Sequence, residues 1–276
     1  MDYTFLRFPN FRQKALTLSY DDGVVYDEKL IEIMNWYSLK GTFNLNSGLF
    51  AEKDGERRLT KERAVKLYKN SGHEVAVHGA KHLALTSVGS EIGGLDILED
   101  RKNLEELFGG IIKGMAYANG AFDDRVVEIL KACKIKYART TVSTESFALP
   151  QDWLRLPATC HHNNPKLMEL ADRFLEDRNS GWFWSNKPKL FYLWGHSYEF
   201  NDQNNWEVIE AFAKKVGNRE DVWYATNMEI YDYVKAFESL EYSVDGKTIS
   251  NPSNYDLYLY YFGQNVLVKA NSVTTI

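Results

Sequence analysis

The chain has 276 residues, of which 44% are hydrophobic and 26% are charged, and this composition is ordinary for a folded globular protein. The formal net charge is −5 and no basic run is present, so we expect no nucleic-acid partner. No apolar run reaches the roughly 18 residues that a membrane helix needs, and the N-terminus lacks a secretory signal pattern. We therefore expect no membrane partner and a cytoplasmic location. The two cysteines, Cys133 and Cys160, form no disulfide framework, which agrees with a reducing compartment.

Predicted strands and helices alternate along the chain as far as about residue 240. The first strand, "ALTLSY", is followed by a helix over 26–39 and by a second strand, "TFNLN". Later strands are predicted at "HEVAVHG", "IIKGMAYA", "KYART", "KLFYLWG" and "DVWYAT". Later helices are predicted over 60–72, 94–108, 123–133, 166–178, 206–216 and 229–240. This alternation is typical of βαβ units around a parallel sheet, and it predicts an α/β fold, a (β/α) barrel that is distorted or incomplete.

The last part of the chain has a different pattern. The segment "DLYLYYFGQNVLVKA" alternates in hydrophobicity and contains a glycine break, which predicts paired strands. We therefore divide the chain into a barrel domain over 1–240 and a β-rich C-terminal extension over 241–276. These alternating strands could pair with a second chain, but nothing in the sequence indicates an oligomer.

Polar residues follow several of the predicted strands, where parallel β/α folds collect their chemistry. Asp21 and Asp22 end the first strand, and Asp-Asp-Gly alone is ordinary turn chemistry. His78 and His82 follow the strand "EVAV" four residues apart, a spacing that places both rings on one face of a helical turn. Two histidines and one aspartate would bind a metal and leave positions for water and substrate. The second aspartate could then take a proton from that water.

The stretches "LTLSYDDGVVYDEKLIEIMNWYSLKGTFNLN" and "SGHEVAVHGAKH" resemble the polysaccharide deacetylase, or NodB-homology, family, which is carbohydrate esterase family four. The resemblance covers roughly residues 14–240 and implies a seven-stranded distorted barrel. It implies that Asp21 is the catalytic base and that His196, in "LWGHSYEF", is the catalytic acid. It also implies a metal-binding triad and a wall of the substrate pocket. The triad is Asp22, His78 and His82, and the wall is Trp194.

The third motif of that family, usually R-x-P-Y-G, is altered in "MAYANG". Ala116 stands in place of the arginine that normally holds the base, and Ala118 and Asn119 replace the proline and the tyrosine. Arg139 and Arg155 are the candidates for a replacement cation. The backbone N–H of Asn119 could still stabilise an oxyanion, because that role does not depend on the side chain.

Several residues near these motifs remain open to two interpretations. His161, in "TCHHNN", and Glu199 could contact substrate or lie on surface loops. Asp152 and Trp153, in "LPQDW", are candidates for the fourth motif of the family. A further pair, Trp182 and Trp184, is predicted to pack in the core rather than to bind a sugar.

These observations predict a metal-dependent hydrolase that removes acetyl groups from an N-acetylated sugar or polysaccharide. It would cleave an amide carbon–nitrogen bond that is not a peptide bond. One divalent transition metal is expected as the cofactor, with zinc as the expected ion, and a carbohydrate is the expected partner. The alternatives are a carbohydrate-binding relative without activity and a hydrolase of a non-sugar amide on the same fold.

Overall fold

The computed structural model describes residues 3–176 and 187–276. Its strands are β1 (Leu6–Arg7), β2 (Lys14–Asp21), β3 (Gly41–Leu45), β4 (Glu74–Val77), β5 (Gly114–Ala116), β6 (Tyr137–Ser143), β7 (Leu156–Ala158), β8 (Cys160–His161), β9 (Lys189–Gly195), β10 (Val222–Tyr224), β11 (Glu241–Tyr242), β12 (Thr248–Asn251), β13 (Leu257–Tyr261), β14 (Gln264–Val268) and β15 (Ser272–Thr275). Its helices are α1 (Asp27–Trp36), α2 (Lys61–Tyr68), α3 (Ser90–Phe108), α4 (Asp124–Ala132), α5 (Leu167–Leu175), α6 (Ser197–Asp202), α7 (Glu207–Val216) and α8 (Asn227–Glu238). The predicted alternation of strands and helices is confirmed.

Several boundaries differ from the predictions. Helices α1 and α2 end at Trp36 and Tyr68, three and four residues before the predicted ends. Helix α3 begins at Ser90, four residues before the predicted start, and includes the adjacent Gly93 and Gly94. Glycine lowers helix propensity, but both glycines lie within α3 and face Ile129 of α4, where a Cβ at either position would make ordinary contact at 3.7 Å. The predicted end of the helix over 166–178 lies outside the described residues, as do Trp182 and Trp184.

A closed ring of parallel strands forms the centre of the molecule. Strands β2 to β6 pair in sequence order, and β9 pairs with the other edge of β2. The segment over 156–161 closes the ring, because β7 pairs with β6 and β8, one residue later, pairs with β9. If β7 and β8 count as one broken strand, seven strands surround the interior. Strand β10 pairs in parallel with the N-terminal residues of β2. This arrangement confirms the expected distorted (β/α) barrel.

The alternation of side chains along β2 explains how the barrel positions polar groups. All eight residues of β2 are buried, as in a strand covered on both faces. Leu16, Leu18 and Tyr20 belong to the core between the barrel and the surrounding helices. The alternate set faces the interior, where Ala15 joins a second core with Tyr192 and Trp194. Because successive side chains point to opposite faces, Asp21 shares the interior face with Ala15.

The C-terminal residues form two small antiparallel sheets, with strand orders β1-β13-β14 and β11-β12-β15. The N-terminal strand belongs to this region, because Leu6 pairs with Leu259. The Tyr233 hydroxyl of α8 connects the sheet to the barrel, donating to the Arg7 carbonyl at 2.7 Å and accepting from the Tyr258 N–H at 3.1 Å. The division at residue 240 stays a prediction. Within the described ranges, the helices are too short or too polar to cross a membrane.

Candidate active site

The carboxyl end of β2 carries the two adjacent aspartates. Asp21 is its last residue, and the chain then turns through Asp22 at φ 85° and Gly23 at φ 66°. This left-handed backbone suits glycine at position 23 and is uncommon for an aspartate. The turn points the two carboxylates in different directions, so that they make contacts with different partners.

Asp21 is buried and ionised. Its Oδ2 accepts a hydrogen bond from Arg139 Nη2, and its Oδ1 accepts one from Asn44 Nδ2 at 2.8 Å. Burial alone would raise the pKa of Asp21, but the charge of Arg139 is the main cause that lowers it to about 2, and the hydrogen bond from Arg139 acts in the same direction. The carboxylate therefore stays charged across the neutral range without a metal.

Arg139 supplies the cation that the altered third motif lacks. It lies on β6 directly opposite Ala116 of β5, so the guanidinium enters the site from the neighbouring strand at the same level. The guanidinium carbon lies 4.4 Å from the centre of the Trp194 ring. Trp194 therefore covers the ion pair of Arg139 with Asp21, in addition to forming a wall.

The second candidate arginine, Arg155, lies elsewhere. It pairs with the carboxylates of Asp152 and Asp124 near the surface. Asp152 also caps a short 3₁₀ turn by accepting from the Leu154 N–H, and Trp153 packs in the second core. A local turn and core packing therefore account for Asp152 and Trp153, and their assignment to a fourth motif stays a prediction.

Asp22, His78 and His82 come together as a potential metal-binding triad. Each offers one ligand atom, and these atoms lie within 4.8 Å of one another. The predicted helical turn between the histidines is wrong, because the loop takes left-handed backbone at Gly79 (φ 81°) and His82 (φ 54°). Gly79 leaves no room for a larger residue, since a Cβ at this position would lie 2.6 Å from Asp96 Oδ2.

The hydrogen bonds of His78 prepare its ring to bind a metal. Nδ1 lies 2.9 Å from the Ala116 carbonyl oxygen, which can only accept, so the ring proton belongs on Nδ1. His78 Nε2 then has a free lone pair, and this nitrogen lies 3.8 Å from Asp21 Oδ2. Burial lowers the pKa of His78 and keeps the ring neutral, as a metal ligand must be. The donor set of two imidazoles and a carboxylate therefore fits a divalent transition metal.

Residues outside the predicted set position the triad. Asp100 Oδ2 accepts the His78 N–H at 3.0 Å, and Asn46 Nδ2 donates to the His78 carbonyl at 2.9 Å. Arg58 holds Asp22 through two contacts, Nη1 to the carbonyl at 2.5 Å and Nη2 to Oδ1 at 3.1 Å. Sequence reasoning missed Arg58, because it reaches the site through an isolated bridge with Val24 in the loop before α2.

His196 follows β9 on the other side of Asp21. Its Nε2 lies 3.8 Å from Asp21 Oδ2, and its Nδ1 lies 3.0 Å from Glu199 Oε1. Burial alone would lower the pKa of His196, but the hydrogen bond to Glu199 and the charge of Asp21 raise it above its ordinary value. Glu199 therefore contacts His196 directly, which neither sequence interpretation of Glu199 included.

The remaining candidates lie around the same edge of the barrel. Asn119 is exposed in the turn after β5, at φ 56°, three residues beyond the Ala116 carbonyl that contacts His78. The ring of His161 meets Trp194 edge-on, with centroids 4.5 Å apart, and its Nε2 lies 3.3 Å from Glu199 Oε2.

Gly195 gives His162 the space that it occupies beside the site. A Cβ at position 195 would lie 2.0 Å from His162 Nδ1. We expect Gly195→Ala to lower the free energy of unfolding by about 1–3 kcal/mol, the usual cost of overpacking, in urea denaturation. The matched control is Gly94→Ala, whose Cβ would meet Ile129 at 3.7 Å inside a helix and which should cost nothing. Equal stability of the two variants would contradict the close contact.

The comparisons with known proteins agree with this geometry. The polysaccharide deacetylase family model matches residues 9–138. The fold is similar to the Xyl-CE4 domain of a multidomain xylanase from the hindgut metagenome of Trinervitermes trinervoides (13% identity, 81% of this chain and 92% of that chain covered, TM-score 0.54). It is also similar to a family 4 carbohydrate esterase from Streptomyces lividans in complex with acetate (12% identity, 78% and 93% covered, TM-score 0.53).

A third similar structure is a mutant of a CE4 family pseudoenzyme with restored enzymatic activity (15% identity, 81% and 69% covered, TM-score 0.53). At these identities the likeness establishes a shared fold. A search of curated proteins found no match. The matched residues include Asp21, Asp22, His78 and His82, whereas Arg139 and His196 lie beyond them. Over residues 9–138, a little under half of its length, the chain is therefore similar to the polysaccharide deacetylase family.

Proposed function

We propose that the protein is a metal-dependent deacetylase that hydrolyses the amide bond of an N-acetylated carbohydrate. The observation that carries the proposal is the placement of Asp21 between two imidazoles. Its Oδ2 lies 3.8 Å from His78 Nε2, on the side of the triad, and 3.8 Å from His196 Nε2 on the other side. A base between a metal-binding group and an acid is the arrangement that hydrolysis of an amide requires.

Asp22, His78 and His82 would hold the metal, and zinc is the ion that we propose for two histidines and a carboxylate with open positions. A bound divalent metal would polarise the acetyl carbonyl and lower the pKa of a water molecule beside it. The triad is preorganised for this role, because Arg58, Asp100 and Ala116 already hold its members in place.

Asp21 is the proposed base. The ion pair with Arg139 and the hydrogen bond from Asn44 fix its carboxylate and keep it ionised, so it can accept a proton from the attacking water. A fixed carboxylate within reach of the water lowers the barrier without any reorganisation of its own. The barrel wall behind it, with Trp194 over Arg139, excludes solvent from the opposite side.

His196 is the proposed acid. Glu199 at Nδ1 stabilises the charged imidazole, and this leaves the Nε2 proton available for the departing amine. The transfer is needed because an amine anion is too poor a leaving group without a proton. We assign the oxyanion of the substrate to the backbone N–H of Asn119, and the substrate ring to the wall that contains Trp194.

Metal content and acetate release test the proposal together. We expect about one divalent metal per chain in the wild-type protein by elemental analysis, and loss of both the metal and acetate release in His82→Ala. Lys81→Ala is the matched control, because its exposed side chain lies in the same loop outside the triad. Both properties should survive that change.

The other outcomes separate the alternatives. Metal binding and sugar binding without acetate release would identify a binding protein. Hydrolysis of simple amides but not of acetylated sugars would identify a non-sugar amide hydrolase. Absence of metal from the wild-type protein, even after reloading, would contradict the proposal.

A further inference from the structure

A cluster of three histidines and one glutamate lies at the carboxyl ends of β8 and β9, and we call it the histidine–glutamate cluster. Glu199 is at its centre. Its Oε2 lies 2.8 Å from His162 Nε2 and 3.3 Å from His161 Nε2, and it accepts from Asn163 Nδ2 at 3.0 Å. Its Oε1 lies 3.0 Å from His196 Nδ1. One carboxylate oxygen therefore lies close to three side-chain nitrogens, and the other lies beside the proposed acid.

A second metal site is the first alternative for this cluster. His161, His196 and Glu199 each offer an atom within 4.8 Å of the others, which is a spacing that could hold an ion. The proton positions argue against it. The Asn163 backbone N–H donates to His161 Nδ1 at 3.1 Å, so that nitrogen carries no proton.

The tautomer of His161 follows from this contact. Burial and the neighbouring His162 lower the pKa of His161 to about 4, so the ring is neutral and carries one proton at neutral pH. With Nδ1 as an acceptor, the proton is on Nε2, where it points at Glu199. A protonated nitrogen has no lone pair for a metal. His78 shows the opposite arrangement, since its proton is on Nδ1 and its Nε2 is free.

Polar contacts surround the Glu199 carboxylate on both oxygens. Asn163 Nδ2 donates to Oε2 and His196 Nδ1 contacts Oε1, while the Nε2 atoms of His161 and His162 lie 3.3 and 2.8 Å from Oε2. Burial alone would raise the pKa of Glu199, but the contacts with His162 and His196 hold it well below its usual range. The hydrogen bond from Asn163 and the two close imidazoles on Oε2 restrict the rotation of the carboxylate and leave Oε1 for His196.

We propose that His161 and His162 are positioning residues, which hold Glu199 so that its Oε1 orients His196 and directs His196 Nε2 toward Asp21. This inference rests on the proposed function, in which His196 is the acid. Gly195 makes the arrangement possible, because any side chain there would displace His162. The titratable and charged groups around His196 are on four elements of the barrel edge and are Asp21, Asp22, Arg139, His161, His162, Tyr198 and Glu199.

A pair of substitutions at the partly exposed His161 tests the proposal without disturbing the buried His162. His161→Phe removes the N–H, whereas His161→Gln keeps a donor near the same place. We expect His161→Phe to lower kcat for acetate release by about 10-fold with little change in KM, as a displaced acid would. His161→Gln should recover most of the loss.

A nuclear magnetic resonance measurement gives a readout that is independent of activity. The proton on His196 Nδ1, shared with Glu199, should give a protected downfield signal in the wild-type protein and in His161→Gln, and should lose protection in His161→Phe. If the wild-type protein releases no acetate, the proposed function fails, while this signal still tests the cluster.

Other results would overturn the inference. A raised KM with unchanged kcat in His161→Phe would make His161 a substrate contact. A second metal in the wild-type protein, absent from both variants, would make the cluster a metal site. An unchanged signal and unchanged kcat in His161→Phe would show that Glu199 is held without it.

Glu199→Gln tests the contact between Glu199 and His196. Loss of the charge should move the descending limb of the kcat profile to lower pH, because the carboxylate stabilises the protonated form of His196. Glu210→Gln is the control, since Glu210 lies on α7, is half-exposed and pairs with Lys29 of α1. An unchanged limb in Glu199→Gln would contradict the orienting role of Glu199.

Discussion

Asp21→Asn is expected to retain its metal while kcat for acetate release falls by about 10²- to 10⁴-fold, the range that a general base contributes. The reason is that the substituted asparagine would keep the shape of the side chain and the contact with Arg139 but could not accept a proton. The triad of Asp22, His78 and His82 contains no atom of Asp21, so the metal should remain. Acetate release and elemental analysis on the same preparation measure both effects.

The control for this change is Asp245→Asn, which alters an exposed aspartate in the turn between β11 and β12 and should leave kcat unchanged. Circular dichroism should show that both variants are folded. Full activity in Asp21→Asn would remove Asp21 from the mechanism. Loss of the metal as well as of turnover would mean that Asp21 helps to hold the ion.

Arg139→Met is expected to reduce the free energy of unfolding by about 3–5 kcal/mol, because it leaves the buried carboxylate of Asp21 without its cation. Both side chains of the pair are almost completely buried. Methionine has a similar length and no charge, so the effect reports the lost partner more than lost volume. Urea denaturation at neutral pH measures it, and activity should fall as well because the base is no longer held.

The pH dependence of stability gives a second measure of this pair. The folded-state pKa of Asp21, about 2, lies below its ordinary value of 3.8, so the pair stabilises the fold above about pH 4. That contribution is lost as the pH falls from about 4 toward 2. The double variant Asp21→Asn/Arg139→Met removes both charges and should regain much of the stability. Additive losses in the double variant would contradict direct pairing.

The sequence contained enough information for the strand-end part of the site. Asp21, Asp22, His78 and His82 follow strands that are close together in the sheet, and the carboxyl ends of parallel strands meet at one edge. Their approach therefore follows from local pattern alone. The helical turn between the histidines was predicted wrongly, because the loop takes left-handed backbone at Gly79 and His82 and its Lys81 N–H donates to Asp96 on α3.

Arg139 and Glu199 show what local pattern does not contain. Arg139 contacts Asp21 across 118 positions of sequence, and the choice between Arg139 and Arg155 depends on the register of β6 against β5. Glu199 follows His196 by three residues, so the sequence indicates that the two side chains are neighbours. It does not indicate the orientation of the Glu199 carboxylate, which lies against His161 and His162. The two histidines arrive by closure of the barrel, which no motif encodes.

The broken strand over 156–161 has a consequence for how the site comes into existence. The same six residues that pair with β6 and then with β9 also bring His161 and the adjacent His162 to Glu199. The segment that completes the ring therefore also carries the histidines that contact Glu199, the partner of the proposed acid. Without this segment the proposed metal ligands after β2 and β4 would remain, but the contacts of His161 and His162 with Glu199 would be absent, so the proposed acid depends on the same residues that complete the ring.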